Sequence, residues 1–145
     1  MSYTGLYIAV DFDGTCVTHE YPYIGHDVGA VPVLKELVEQ GHHLILYTMR
    51  SGKLEKEAVA WFKEHDIPLY AVNSNPTQKK WTKSPKVHAD VYIDDGALGV
   101  PLVRSITSSR PYVDWVKVRE WLVPFFFHFF VCYINAFFFS NSFKN

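Results

Sequence analysis

The chain has 145 residues, 48% of them hydrophobic, with 14 basic and 15 acidic side chains for a formal net charge of -1. That length suits one layered domain and falls short of two, and the scattered Lys and Arg residues exclude a dedicated nucleic-acid groove or an acidic-membrane surface as an electrostatic partner. Two cysteines, Cys16 and Cys132, are too few for a disulfide framework, and the first residues carry no basic-then-apolar leader, so a reducing cytoplasm is the expected compartment.

Four consecutive apolar residues, Tyr7 to Val10, read as a strand buried on both faces, and it ends abruptly in Asp11-Phe12-Asp13-Gly14-Thr15. Side chains at i and i+2 share a side of extended chain, so Asp11 and Asp13 crowd one point while Gly14 lets the backbone turn away. Two carboxylates that close are costly unless a cation lies between them or one keeps its proton, and either outcome serves catalysis. Residues 16–28, with Tyr21, Pro22, Tyr23, His19 and His26, show no periodicity and read as a loop or short flap, whose His19, His26, Tyr21 and Tyr23 either line a substrate entrance or are ordinary surface residues. Val33, Leu34, Leu37 and Val38 repeat at helical spacing up to Gly41.

A second buried strand, His43 to Thr48, closes on a hydroxyl, and a helix with Leu54, Ala58, Trp61 and Phe62 on its apolar face starts at Ser51 and Gly52 and ends near Asp66. Leu69 to Val72 forms a brief third strand. A turn at Asn73-Ser-Asn-Pro76 leads into a lysine-rich stretch to Lys86, and a fourth strand, Asp90 to Ile93, closes on Asp94-Asp95-Gly96. The short Val100 to Val103 segment precedes a final amphipathic helix from Asp114 to Leu122. Strand and helix alternate throughout. The expected fold is therefore α/β, a three-layer α/β/α sandwich around a doubly wound parallel sheet, with ligands at the carboxyl ends of the strands. Asp11, Asp13, Thr48, Asp94 and Asp95 all fall at such ends.

Four short motifs in this order resemble the haloacid dehalogenase superfamily, phosphatase branch. Asp11-Phe12-Asp13-Gly14-Thr15 matches the Asp-x-Asp after its first strand, Thr48 its Ser or Thr closing the second, Lys86 its lysine ahead of the fourth, and Asp94-Asp95 its acidic pair closing that strand. The resemblance implies a phosphohydrolase with Asp11 as nucleophile and Asp13 as general acid and base. Thr48 and Lys86 would hold the phosphate beside backbone N–H groups of the turn after Asp11. It also implies Mg²⁺, bound by Asp11, the backbone carbonyl of Asp13, and Asp94, with Asp95 as a direct ligand or acting behind it. The chemistry fits, since a carboxylate can accept a phosphoryl group and hard oxygen donors suit Mg²⁺. Lys79, Lys80 and Lys83 compete with Lys86, and Arg50 reads equally well as a phosphate contact or a helix start. The expected partner is a phosphorylated substrate, a macromolecule or a small metabolite. The alternative is a catalytically silent phosphate-binding module of the same fold.

Superfamily members often insert a cap domain after the first strand or between the second and third motifs, and residues 15–48 and 49–86 leave no room for one. The expected core spans 1–122. Nine of the eleven phenylalanines lie between Phe125 and Phe143, and no acidic residue follows Glu120. This 123–145 tail reads as a non-native or frame-shifted ending, or as a second-rate membrane anchor broken by Pro124, His128 and Asn135, and as a surface for homo-oligomer contact.

Overall fold

The computed structural model describes residues 5–123. Four strands, Tyr7–Val10 (β1), His43–Leu46 (β2), Ala71–Val72 (β3) and Val91–Ile93 (β4), form one sheet in the order β3-β2-β1-β4, with every neighbouring pair parallel. Helix α1 (Ala30–Glu39) joins β1 to β2, and α2 (Gly52–Glu64) joins β2 to β3. The architecture is α/β, as the alternation of the sequence implies. The central strands are continuously apolar because nearly all of each is covered: Ile8, Val10, Ile45 and Leu46 have no exposed surface. Each such side chain contributes about 1.5–3 kcal/mol of transfer free energy.

Helix α1 begins and ends where the sequence provides the chemistry, whereas Ser51 at the start of α2 makes no side-chain cap bond. The Asp27 carboxylate accepts from the N–H groups of Ala30 and Val31 at 3.0 and 3.2 Å, satisfying two donors at the start of α1. Val33, Leu34 and Leu37 are its buried face, and Gly41, with φ 88°, stops it by returning its N–H to Val38 O. In α2 the buried residues are Ala58, Trp61 and Phe62, and the two aromatic rings meet Phe12 at centroid distances of 5.6 and 6.1 Å. The middle residue of Asp-x-Asp is thus a core anchor that points away from its two neighbours.

Two features depart from a strict alternation of strand and helix. The crossover from β3 to β4 contains only a 3-10 turn, Pro76–Lys80, where Asn75 accepts from the Thr77 N–H at 3.0 Å. Residues 102–113 form a small antiparallel hairpin that the sequence reading missed: β5 (Leu102–Val103) pairs with β6 (Tyr112–Val113), and the Val113 N–H donates to Gly14 O at 3.0 Å. Two-residue strands are too short to show alternation.

The compact unit closes at Trp115, whose indole N–H donates to Thr15 O at 2.7 Å. A helix over 115–123 (α3) follows. In the second unit, from Val116 on, Val118 and Val123 are buried and Val116 and Trp121 exposed, an amphipathic pattern. The Phe-rich segment, Cys132 and the readings placed on them lie outside the described residues. Among the described residues no helix is long and apolar enough to cross a membrane.

Candidate active site

Register builds the site. Val10 is level with Leu46 on one side and Ile93 on the other, so β2, β1 and β4 reach their carboxyl ends together. Asp11 and Asp94 follow immediately and Thr48 two residues on. The Asp11 N–H still donates to Ile93 O at 2.9 Å, which fixes its backbone to the end of β4. One carboxylate oxygen from each of Asp11, Asp94 and Asp95 lies within 4.8 Å of the others. Three acidic groups from two strand ends therefore share one small volume.

Thr15 ties this trio together. Its hydroxyl donates to Asp11 Oδ2 at 3.0 Å and accepts from the Asp95 N–H at 3.0 Å, and the residue is fully buried. Gly14 makes the approach possible. At φ 81° it occupies the left-handed region, and a Cβ there would lie 2.6 Å from Asp95 Oδ2 and 2.7 Å from His19 Cδ2. His19 Nε2 stands 3.7 Å from Asp95 Oδ2, so of its two readings, entrance or open surface, the place beside the acidic trio favours the entrance.

Electrostatics follow from crowding in a poorly solvated place. Burial pushes the Asp11 carboxyl from its ordinary 3.8 up to about 7; the Phe12 N–H and the Thr15 hydroxyl pull it down, and Asp94 and Asp95 add to the rise. Asp95 is also raised, chiefly by burial, against an opposing pull from His19. The fully buried Cys16 thiol is held well above its usual range, again by burial first, and donates to Asp11 O at 3.2 Å. It is a packing group and a poor nucleophile.

Asp13 stands apart from the trio. Both of its oxygens accept from Arg50, Oδ2 from Nε and Oδ1 from Nη2, each at 2.7 Å. Thr48 is buried at the end of β2, where its hydroxyl oxygen accepts from the Arg50 N–H at 3.1 Å and its own N–H donates to Asn73 Oδ1 at 2.9 Å. With its oxygen engaged as acceptor, the Thr48 hydroxyl keeps its proton to donate.

Lys86 is exposed and, among the described residues, makes no ion pair; Lys79, Lys80 and Lys83 are alike in both respects. What is fixed is the backbone beneath it. The buried Gln78 amide donates to Ser84 O at 2.8 Å and Lys86 O at 2.7 Å and accepts from the His88 N–H at 2.8 Å. Arg110, on the β5–β6 hairpin, is a further cation whose charge is felt at Asp95. The turn after Asp11 offers fewer free donors than expected: the N–H groups of Thr15, Cys16 and Val17 go to Phe12 O, and that of Gly14 to Val17 O.

No protein-family model matches the chain, and no curated protein matches it. Among solved structures it is similar to one described as a conserved protein from Bacteroides thetaiotaomicron, at 37% sequence identity and a TM-score of 0.63, over 80% of this chain and 88% of that one. The chain belongs to the family of that conserved protein.

The site residues divide by what signal announced them. Asp11, Asp13, Thr48, Asp94 and Asp95 were marked by their places at strand ends. Thr15, Gly14, His19 and Arg50 work through contacts between distant parts of the chain, such as Arg50 to Asp13 across 37 positions, and Gln78 through the irregular loop that follows it. A concavity of about 510 Å³ lined by Val59, Phe62, Lys63 and Ile67 lies toward the amino ends of the strands and contains none of these groups.

Proposed function

We propose that this chain is a Mg²⁺-dependent phosphomonoester hydrolase of the haloacid dehalogenase type, working through an aspartyl phosphate on Asp11 in a reducing, cytoplasmic setting. In this reading the sheet is doubly wound within a three-layer sandwich, and no cap domain covers the site, which leaves it open to large phosphoesters as well as small ones. The observation that carries the reading is the convergence of Asp11, Asp94 and Asp95 within 4.8 Å, with Asp11 pushed up to about 7 by burial beside two like charges. Such a donor set of hard oxygens fits a divalent cation, which would relieve a repulsion that the fold otherwise bears unaided. Asp11, Asp94, Asp95 and the Asp13 carbonyl would hold it, and when bound it would neutralise charge on a phosphate and on its attacker.

The chain's own groups supply the rest. Asp11 attacks phosphorus, the P–O bond to the alcohol breaks, and the phosphoryl group moves to the carboxylate. Asp13 gives a proton to the departing alkoxide and later takes one from the water that cleaves the acyl phosphate, which regenerates Asp11 and releases inorganic phosphate. The Asp13 oxygen that carries the proton gives up its Arg50 N–H in exchange. The Thr48 hydroxyl donates to a non-bridging phosphate oxygen, and Lys86 is the assigned cation at the phosphate.

A panel of small phosphoesters, phosphopeptides and 3′- or 5′-phosphorylated oligonucleotides, assayed for released phosphate with Mg²⁺ and with excess chelator, tests this. Turnover should appear with metal and vanish without it. Phosphate binding with no turnover of any ester would assign the chain to the silent phosphate-binding class instead, and full turnover in chelator would reject the metal.

A further inference from the structure

Arg50 is only 2% exposed, and its charge is matched on every side. Besides the two bonds to Asp13, Nη2 donates to Tyr23 O at 2.8 Å and Nη1 to Pro22 O at 3.1 Å. Its guanidinium lies 5.1 Å from the Phe12 ring centroid and 5.3 Å from that of Tyr21. The base of the flap is closed by its own bonds, Thr18 N–H to His26 O and His26 N–H to Thr18 Oγ1. The tip carries one turn bond of its own, Tyr23 N–H to Glu20 O at 2.9 Å, which does not tie it to the rest of the chain. Tyr21, Tyr23 and Ile24 are 59, 77 and 37% exposed, so apolar burial contributes little to its order, whereas two of its carbonyls end on one buried cation.

We propose that Arg50 is the positioning residue of this site, a latch whose single planar guanidinium orients the Asp13 carboxylate and pins the flap tip to it, so that flap and carboxylate hold one register. The catalytic half of this inference rests on the reading of Asp13 as the proton-transfer group; the latch itself does not. Arginine is required because a forked, planar donor can serve a bidentate carboxylate and two carbonyls at once, whereas a lysine ammonium is a point charge with three donors.

The test uses the full chain, with Arg50→Lys and Asp13→Asn beside the wild type. Limited chymotrypsin digestion reads cleavage after Tyr23, since Pro22 protects the Tyr21 bond, and melting curves verify that each variant is folded. Arg50→Lys should raise the cleavage rate at the tip at least roughly tenfold, because local opening follows lost contacts. With KM nearly constant, its kcat should fall on the order of 100-fold for an alkyl phosphate, whose leaving group needs a proton, and much less for 4-nitrophenyl phosphate, whose leaving group does not. A purely structural role would lower both esters by one factor. If Arg50→Lys fails to fold, Asp13→Asn carries the test, since loss of the ionic partner should also loosen the tip. A tip as protected in the folded variants as in the wild type overturns the proposal, as does an equal loss on the two esters. If the wild type hydrolyses no ester, the phosphatase reading fails while the digestion still decides the latch.

Discussion

Replacing Asp11 with asparagine should make the metal-free protein more stable while removing its activity. The folded Asp11 carboxyl holds its proton up to about 7, whereas in the unfolded chain it loses it near 3.8. Between those values the folded state binds more protons, so stability falls as pH rises through that window and is level above it. That difference corresponds to roughly 4 kcal/mol at pH 8. Solvent at the open mouth lowers this, so a gain of about 2 to 4 kcal/mol is expected for Asp11→Asn, which is neutral at every pH and keeps an acceptor for the Thr15 hydroxyl. For a chain of this size that is roughly 10 °C in Tm at pH 8, shrinking toward zero near pH 4. Differential scanning calorimetry of both proteins in chelator from pH 4 to 8 measures the difference and cancels other titrations. Added Mg²⁺ should then close the gap by stabilising the wild type above pH 7. A variant less stable than the wild type at pH 8, or a difference that does not vary with pH, would refute the electrostatic argument.

Thr15→Val removes the hydroxyl that joins Asp11 to the Asp95 N–H and should cost about 2 to 3 kcal/mol in urea unfolding, since both partners are left unsatisfied in the interior; a change under about 0.5 kcal/mol would contradict that role. Gly14→Ala should cost about 1 to 3 kcal/mol, from left-handed strain and displacement of the Asp95 carboxylate, and should weaken Mg²⁺ binding measured by calorimetric titration. An unaltered affinity would show that Asp95 is not held against Gly14. Lys86→Ala should cost about 2 to 4 kcal/mol in kcat/KM, and Lys79→Ala, Lys80→Ala and Lys83→Ala far less; if one of those three is the crippling change, the phosphate lysine is misassigned.

The sheet and the acidic centre were legible because one rule governs both. A strand covered on both faces must be continuously apolar, so the residue at which apolarity stops marks its end, and Val10, Leu46 and Ile93 lie side by side in the register. Polar groups placed just after those ends meet whatever the intervening loops do. What hid were groups whose partners come from elsewhere. Arg50 lies next to a helix start, where a cation is unremarkable, and acquires its role only because the flap folds back over it. His19 stayed open between entrance and surface because a flap without periodicity gives no direction to its side chains, and the closed base at Thr18 and His26 brings it to Asp95. The 3-10 turn at Pro76–Lys80 and the β5–β6 hairpin are too short for either period to register.

The central claim is that Asp11 becomes phosphorylated. Rapid-quench mass spectrometry of Asp13→Asn with an activated aryl phosphate and Mg²⁺ addresses it directly, because the first displacement needs no proton donor there while the hydrolysis of the acyl phosphate still lacks its base. An adduct of one phosphoryl group should accumulate, map to the peptide containing Asp11, and be absent from Asp11→Asn. An adduct that persists in Asp11→Asn, or turnover unchanged in both variants, would contradict the account.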